Sequence, residues 1–208
     1  MNAREILKIN PVIPVIAIDD INDALPLAKA LVLGGVRVLE ITLRTPVGLK
    51  AIELISKEVP EAIVGAGTVI NAKQYKDVVN AGAKFAISPG ITEKLLKEID
   101  YKIPLIAGIA SPAELMLGLE YGLDTFKLFP ASVVGGVPML KAIYGPFSDV
   151  RFCPTGGISE NNAKEYLSQP NVLCVGGSWL APKELIKAKN WDEITNIARK
   201  TLELKNTL

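Results

Sequence analysis

Eight short apolar runs recur along the chain, each followed by a turn and a stretch of helical periodicity. The runs are Val12–Ile18, Arg37–Leu43, Ala62–Gly67, Phe85–Ser88, Pro104–Ile109, Thr125–Phe129, Arg151–Thr155 and Val172–Gly176. They are rich in Val, Ile and Phe and alternate little between apolar and polar, as parallel strands buried on both faces do. Amphipathic segments lie between them, among them Ile21–Leu33, Val47–Val59, Asn71–Ala81, Thr92–Ile99, Pro112–Tyr121 and Glu160–Leu167. Asn71 and Ser111 stand where helix caps are needed, and Pro112 suits a first helical position. Gly34, Gly82 and Gly122 fall where helices stop. A leading helix is expected within residues 1–10 and a final one from Pro182 to the end. This alternation predicts an α/β fold, a closed (β/α)8 TIM barrel with an N-terminal helix. The alternative is an open doubly wound sheet, but its first turn lacks a GxGxxG.

Composition narrows the function. The chain has 208 residues, 49% of them hydrophobic, enough for one large core, so residues 1–208 are read as one domain. Net charge is +1, from 23 basic and 22 acidic residues, which recommends no nucleic-acid partner. No apolar run is long enough to span a bilayer. The first residues carry charges where a secretory signal needs its apolar region, so no leader is expected. Cys153 and Cys174 lie in apolar runs, outside any CxxC, and read as core thiols of a reducing, cytoplasmic compartment. Histidine is absent. Imidazole-dependent triads are therefore excluded, a metal site is not expected, and acid–base work falls to carboxylate, lysine, tyrosine, cysteine or water.

Lys127 is the most informative single residue. It sits in Thr125-Phe126-Lys127-Leu128-Phe129-Pro130, where an ammonium group is costly to bury. Burial favours the neutral amine, which is a nucleophile towards carbonyls. The other reading is a lysine that snorkels or pairs with a carboxylate and does nothing more.

Barrel chemistry lies at the C-terminal ends of the strands. There the chain places Glu40, Thr42 and Arg44, then Gly67-Thr68, Ser88-Pro89-Gly90, Lys127-Leu128-Phe129, Thr155-Gly156-Gly157 and Gly176-Gly177-Ser178. Alternation puts Glu40, Thr42 and Arg44 on one face, and Lys127 and Phe129 on another. Facing inward, they bring a carboxylate, a guanidinium and an amine into one cavity. A purely structural charge network stays open at this point. The paired Gly-Gly turns after the seventh and eighth strands favour a phosphate site built from backbone N–H groups. Gly135-Gly136 is ambiguous. Trp179, Trp191 and Tyr144 read as packing residues, and Lys141 and Lys164 as solvated helix positions.

These motifs carry a resemblance. Val38-Leu39-Glu40-Ile41-Thr42-Leu43-Arg44-Thr45, Val64-Gly65-Ala66-Gly67-Thr68-Val69, Phe85-Ala86-Ile87-Ser88-Pro89-Gly90, Phe126-Lys127-Leu128-Phe129-Pro130-Ala131 and Phe152-Cys153-Pro154-Thr155-Gly156-Gly157-Ile158 resemble 2-keto-3-deoxy-6-phosphogluconate aldolase, also known as 4-hydroxy-2-oxoglutarate aldolase. Ala107-Gly108 departs from the Pro-Gly of many members, and the loop after Ala131 lacks their Glu. The resemblance implies a Schiff-base lyase of the Entner–Doudoroff route, usually a homotrimer, needing no metal or other cofactor. Its substrate would be a small phosphorylated keto acid. By position, Lys127 matches the Schiff-base lysine and Glu40 the proton-transfer carboxylate. Arg44 and Thr68 match carboxylate contacts, with Pro89 beside them, and Phe129 a pocket wall. Thr155 matches a threonine near the substrate C4 hydroxyl, and Gly156, Gly157, Gly177 and Ser178 match the phosphate end. The alternatives are the phosphogalactonate-specific relative, a phosphosugar isomerase or synthase on the same barrel, and a non-catalytic sensor of phosphorylated acids.

Overall fold

Each apolar run contributes a parallel strand in the computed structural model, which describes residues 1–205. The strands are β1 (Val12–Ile16), β2 (Val38–Thr42), β3 (Ile63–Gly67), β4 (Phe85–Ile87), β5 (Leu105–Ile109), β6 (Thr125–Leu128), β7 (Arg151–Phe152) and β8 (Val175–Gly177). They follow one another around the sheet in chain order, and β8 pairs with β1. Isolated parallel bridges Phe152↔Val172 and Thr155↔Gly176 join β7 to β8 and close the ring. The expected (β/α)8 barrel is therefore the observed fold. Among the described residues, no helix is long and apolar enough to cross a membrane.

The helices are α1 (Ala3–Leu7), α2 (Ala24–Leu33), α3 (Gly48–Glu58), α4 (Ala72–Asn80), α5 (Glu93–Glu98), α6 (Pro112–Glu120), α7 (Gly136–Tyr144), α8 (Ala163–Leu167), α9 (Lys183–Lys187) and α10 (Trp191–Leu202). Helices α2 to α8 each connect one strand to the next. Asn71 caps α4 by accepting from the Gln74 N–H, and Ser111 caps α6 by accepting from Glu114. Gly82 and Gly122 end helices at φ +89° and +77°, but after α2 the left-handed residue is Gly35, not Gly34. Gly34 serves instead to let α10 approach, since a Cβ there would lie 2.5 Å from that of Ala198.

Among the boundaries that differ from the sequence reading, three bear on the architecture. The regular strand β7 ends at Phe152, short of Thr155: the Cys153 and Thr155 N–H groups still donate to Phe126 O and Leu128 O beside β6, but Pro154 has no N–H for the side facing β8. The register between the two closing bridges slips by one residue across this stretch. The expected final helix divides into α9 and α10, since Lys189 adopts φ +53° and Asn190 starts a new cap on the Glu193 N–H. Its expected last residues, 206–208, lie outside the described residues. The leading helix occupies only Ala3–Leu7 of residues 1–10.

That short helix positions everything above it. Alternation along the strands separates an outer apolar layer, under the helices, from an inner one. The inner cluster contains Ile13, Val38, Phe85, Ile87, Ile106, Cys153 and Cys174, and Ile6 and Leu7 of α1 complete it. Helix α1 thus plugs the N-terminal end of the barrel. Five residues form no stable helix alone, so this burial and an Asn2–Glu5 capping box hold it. Arg4 anchors it further through a 2.9 Å ion pair with Asp124. Replacing Leu7, fully buried, with Ala should cost about 2–5 kcal/mol in urea unfolding. A loss below about 0.5 kcal/mol, the range of ordinary surface changes, would contradict the plug.

Candidate active site

Strands β2 and β6 face each other across the barrel and send one charged side chain each into it. Glu40 is 2% exposed and Lys127 5% exposed. Lys127 Nζ donates to Glu40 Oε1 at 3.3 Å. The apolar inner cluster lies beneath them as a dry floor, so the pair's remaining access is upward. The Phe129 ring centre stands 5.1 Å from Nζ, close enough for a cation–π contact with the ammonium form.

Above the pair opens a cavity of about 310 Å³. Every residue to which the resemblance gives a role lines it: Glu40, Arg44, Thr68, Pro89, Lys127, Phe129, Thr155, Gly156, Gly157, Gly177 and Ser178. Polarity and exposure rise together towards the mouth, where Arg44, Gly157 and Ser178 are exposed. Val15, Thr42, Ile158 and Gly176 also line the cavity; of these, Thr42 and Gly176 stand among the strand-end groups of the sequence but carried no assigned role. Thr42 was legible from alternation with Glu40, and Gly176 from its place beside Gly177. Val15 and Ile158 carry no chemical signal in the sequence.

Local backbone makes room for these groups. A Cβ on Gly67 would lie 2.3 Å from Glu40 Oε1, so only glycine leaves the carboxylate its place. A Cβ on Gly176 would lie 2.2 Å from Thr155 Oγ1. Thr68, which follows Gly67, adopts φ +64°, a left-handed conformation costly for a β-branched residue. That turn brings Thr68 to the cavity wall.

The Gly-Gly turns contribute another part of the cavity wall. Gly156 and Gly157 have φ +102° and +72°. Their loop is stitched to the one after β6 by Ala131 N–H to Thr155 O at 2.8 Å and Ser132 N–H to Gly156 O at 3.1 Å. Gly135-Gly136 proves to be the turn that opens α7, with both glycines left-handed. Trp179 packs under Gly177, Tyr144 ends α7 outside the cavity, and Lys141 and Lys164 are exposed on their helices.

Cys153 and Cys174 are free thiols in the floor. Burial, then the hydrogen bond with Cys153, then the charges of Cys153 and Glu40 push the Cys174 thiol well above its usual range. Among the described residues, no group of three His, Cys, Asp or Glu side chains could hold a metal ion. The arrangement supplies an enclosed amine beside a carboxylate, an exposed guanidinium, and a glycine-rich end suited to an anion.

Comparison with known proteins agrees with this geometry. A family model described as KDPG and KHG aldolase matches residues 3–197. The KHG/KDPG aldolase of Escherichia coli strain K12 is 58% identical over 203 residues, covering 97% of this chain and 95% of that protein. The 2-dehydro-3-deoxy-phosphogluconate aldolase of Dickeya dadantii is 56% identical, with 97% and 95% covered. A Legionella pneumophila KDPG aldolase, crystallised with pyruvate captured as a covalent carbinolamine intermediate, is 55% identical. It superposes with a TM-score of 0.94 over 96% of this chain and 97% of that one. This chain belongs to the KDPG and KHG aldolase family.

Two outcomes follow from the site's construction. Neither cysteine should react with iodoacetamide in the native protein near neutral pH, whereas both should once it is unfolded; ready native labelling would contradict the buried floor. Gly67→Ala should push the Glu40 carboxylate out of place and lower turnover by roughly 10²-fold, the usual scale for a misplacement of about 1 Å. Near-normal turnover in that variant would show that the carboxylate does not depend on this space.

Proposed function

We propose that this chain cleaves 2-keto-3-deoxy-6-phosphogluconate to pyruvate and glyceraldehyde 3-phosphate through a Schiff base on Lys127. It would also cleave 4-hydroxy-2-oxoglutarate to pyruvate and glyoxylate. The observation that carries this reading is the buried Lys127–Glu40 pair, 3.3 Å apart in a cavity also lined by Arg44 and by the Gly156-Gly157 and Gly176-Gly177 turns. The carbinolamine captured in the Legionella protein supports the covalent route.

The steps follow from the positions. Lys127, as the neutral amine, attacks the C2 ketone to give a carbinolamine. Loss of water leaves a protonated imine, an electron sink that lowers the barrier to breaking the C3–C4 bond. Glu40, acting through a water, takes the proton of the C4 hydroxyl as that bond breaks. Glyceraldehyde 3-phosphate departs and leaves an enamine of pyruvate. Protonation at C3 and hydrolysis release pyruvate and restore the amine.

The remaining groups bind and orient. Arg44 and Thr68 hold the keto-acid carboxylate, with Pro89 beside them, and Phe129 packs against the reacting carbons. Thr155 meets the C4 hydroxyl, and Gly156, Gly157, Gly177 and Ser178 receive the phosphate. The Thr155 hydroxyl favours the gluconate over the galactonate epimer, since a site built to bond a hydroxyl discriminates by its placement. Family membership supports assembly as a homotrimer in the cytoplasm, with the Entner–Doudoroff route as its setting. No metal or organic cofactor has a role in these steps.

In a coupled assay for released pyruvate, turnover should be faster on the phosphogluconate substrate than on its phosphogalactonate epimer. Equal rates would remove Thr155 from stereochemical control. Glu40→Gln should lower turnover by roughly 10²–10⁴-fold, as loss of a general base does. A near-wild-type rate would assign the proton transfer elsewhere. A phosphosugar isomerase or synthase would have no use for the amine, and Lys127→Ala retaining activity would point there.

A further inference from the structure

Arg44 is exposed at the cavity mouth, yet its guanidinium is not free to turn. Its Nε donates to Thr42 Oγ1 at 3.2 Å. Thr42 Oγ1 in turn donates to the Ile16 carbonyl of β1 at 2.9 Å. Thr42 itself is 1% exposed and stands two residues beyond Glu40 on the same face of β2. A hydroxyl has one proton to give and lone pairs to receive, so this bridge fixes the direction of both bonds. The Ile16 carbonyl orients the hydroxyl, and the hydroxyl orients the guanidinium.

We propose that Thr42 is a positioning residue that sets the orientation in which Arg44 meets the keto-acid carboxylate. The inference rests on the aldolase reading above. Its chemical content is a choice between two bidentate geometries. An arginine fork can engage a carboxylate side-on, through Nε and one Nη, or end-on, through both Nη groups. Thr42 occupies Nε, which leaves the two Nη groups to take the carboxylate end-on. The planar fork is thereby held before substrate arrives, and less freedom is lost on binding. The same threonine ties the end of β2 to the end of β1, so the carboxylate end of the site is referenced to the strand frame rather than to a mobile rim side chain.

Thr42→Val tests this, because it keeps the branched shape and removes the hydroxyl. Thr42→Ser restores the hydroxyl on a smaller side chain. In the synthetic direction, with pyruvate and glyceraldehyde 3-phosphate as separate substrates, Thr42→Val should raise KM for pyruvate by roughly 10- to 150-fold, the scale of one hydrogen bond to a charged group. KM for glyceraldehyde 3-phosphate and kcat should stay within about twofold, since neither uses the Arg44 orientation. Thr42→Ser should recover most of the pyruvate affinity. Wild-type turnover with a pyruvate KM unchanged in Thr42→Val would overturn the proposal. So would equal rises in both KM values, the sign of general loosening, or a failure of Thr42→Ser to rescue. A wild-type protein that makes no product would overturn the aldolase reading, and this inference with it.

Discussion

The structure is organised around one unfavourable arrangement, an amine and a carboxylate buried 3.3 Å apart over an apolar floor. Removing both charges from water costs more than a surface pair would recover. Their surroundings are carbon, the buried Cys153 and Cys174 thiols, and one aromatic face. Nothing in that setting explains the pair as a device for stability. On the proposed reading it makes sense as chemistry, because the amine and the carboxylate line one cavity side by side.

The rest of the barrel serves that arrangement in two ways. From below, α1 closes the barrel with Ile6 and Leu7 and keeps the floor dry. From the sides, small residues yield space: Gly67 to the Glu40 carboxylate and Gly176 to the Thr155 hydroxyl. Above, the cavity is lined by the Arg44 guanidinium and by the left-handed Gly156-Gly157 turn.

Much of this is legible in the amino-acid sequence itself. Eight apolar runs with intervening amphipathic segments sufficed for the barrel, because two-sided burial leaves so plain a pattern. Period-2 alternation put Glu40 and Arg44 on one face, and the cost of a lysine in an apolar strand marked Lys127. What escaped the sequence depends on a single atom or dihedral angle. The break between α9 and α10 turns on Lys189 in a left-handed conformation, which nothing in Lys-Ala-Lys-Asn announces. The broken pairing between β7 and β8 follows from Pro154, whose effect depends on which neighbour needed its N–H. The part played by α1 was also hidden, since Ile6 and Leu7 look like any short amphipathic pair until the barrel end they fill is seen. Thr42 appeared only as a polar residue in the right register, and its bridge from Ile16 to Arg44 required the relative placement of β1 and β2.

The central claim is that Lys127 forms the covalent bond. Incubation with pyruvate and borohydride, followed by intact mass and peptide mapping, tests it most directly. A single reduced pyruvyl adduct on the peptide carrying Lys127, absent from Lys127→Ala, is the expected result. An unchanged mass, or an adduct on another lysine, would contradict the account.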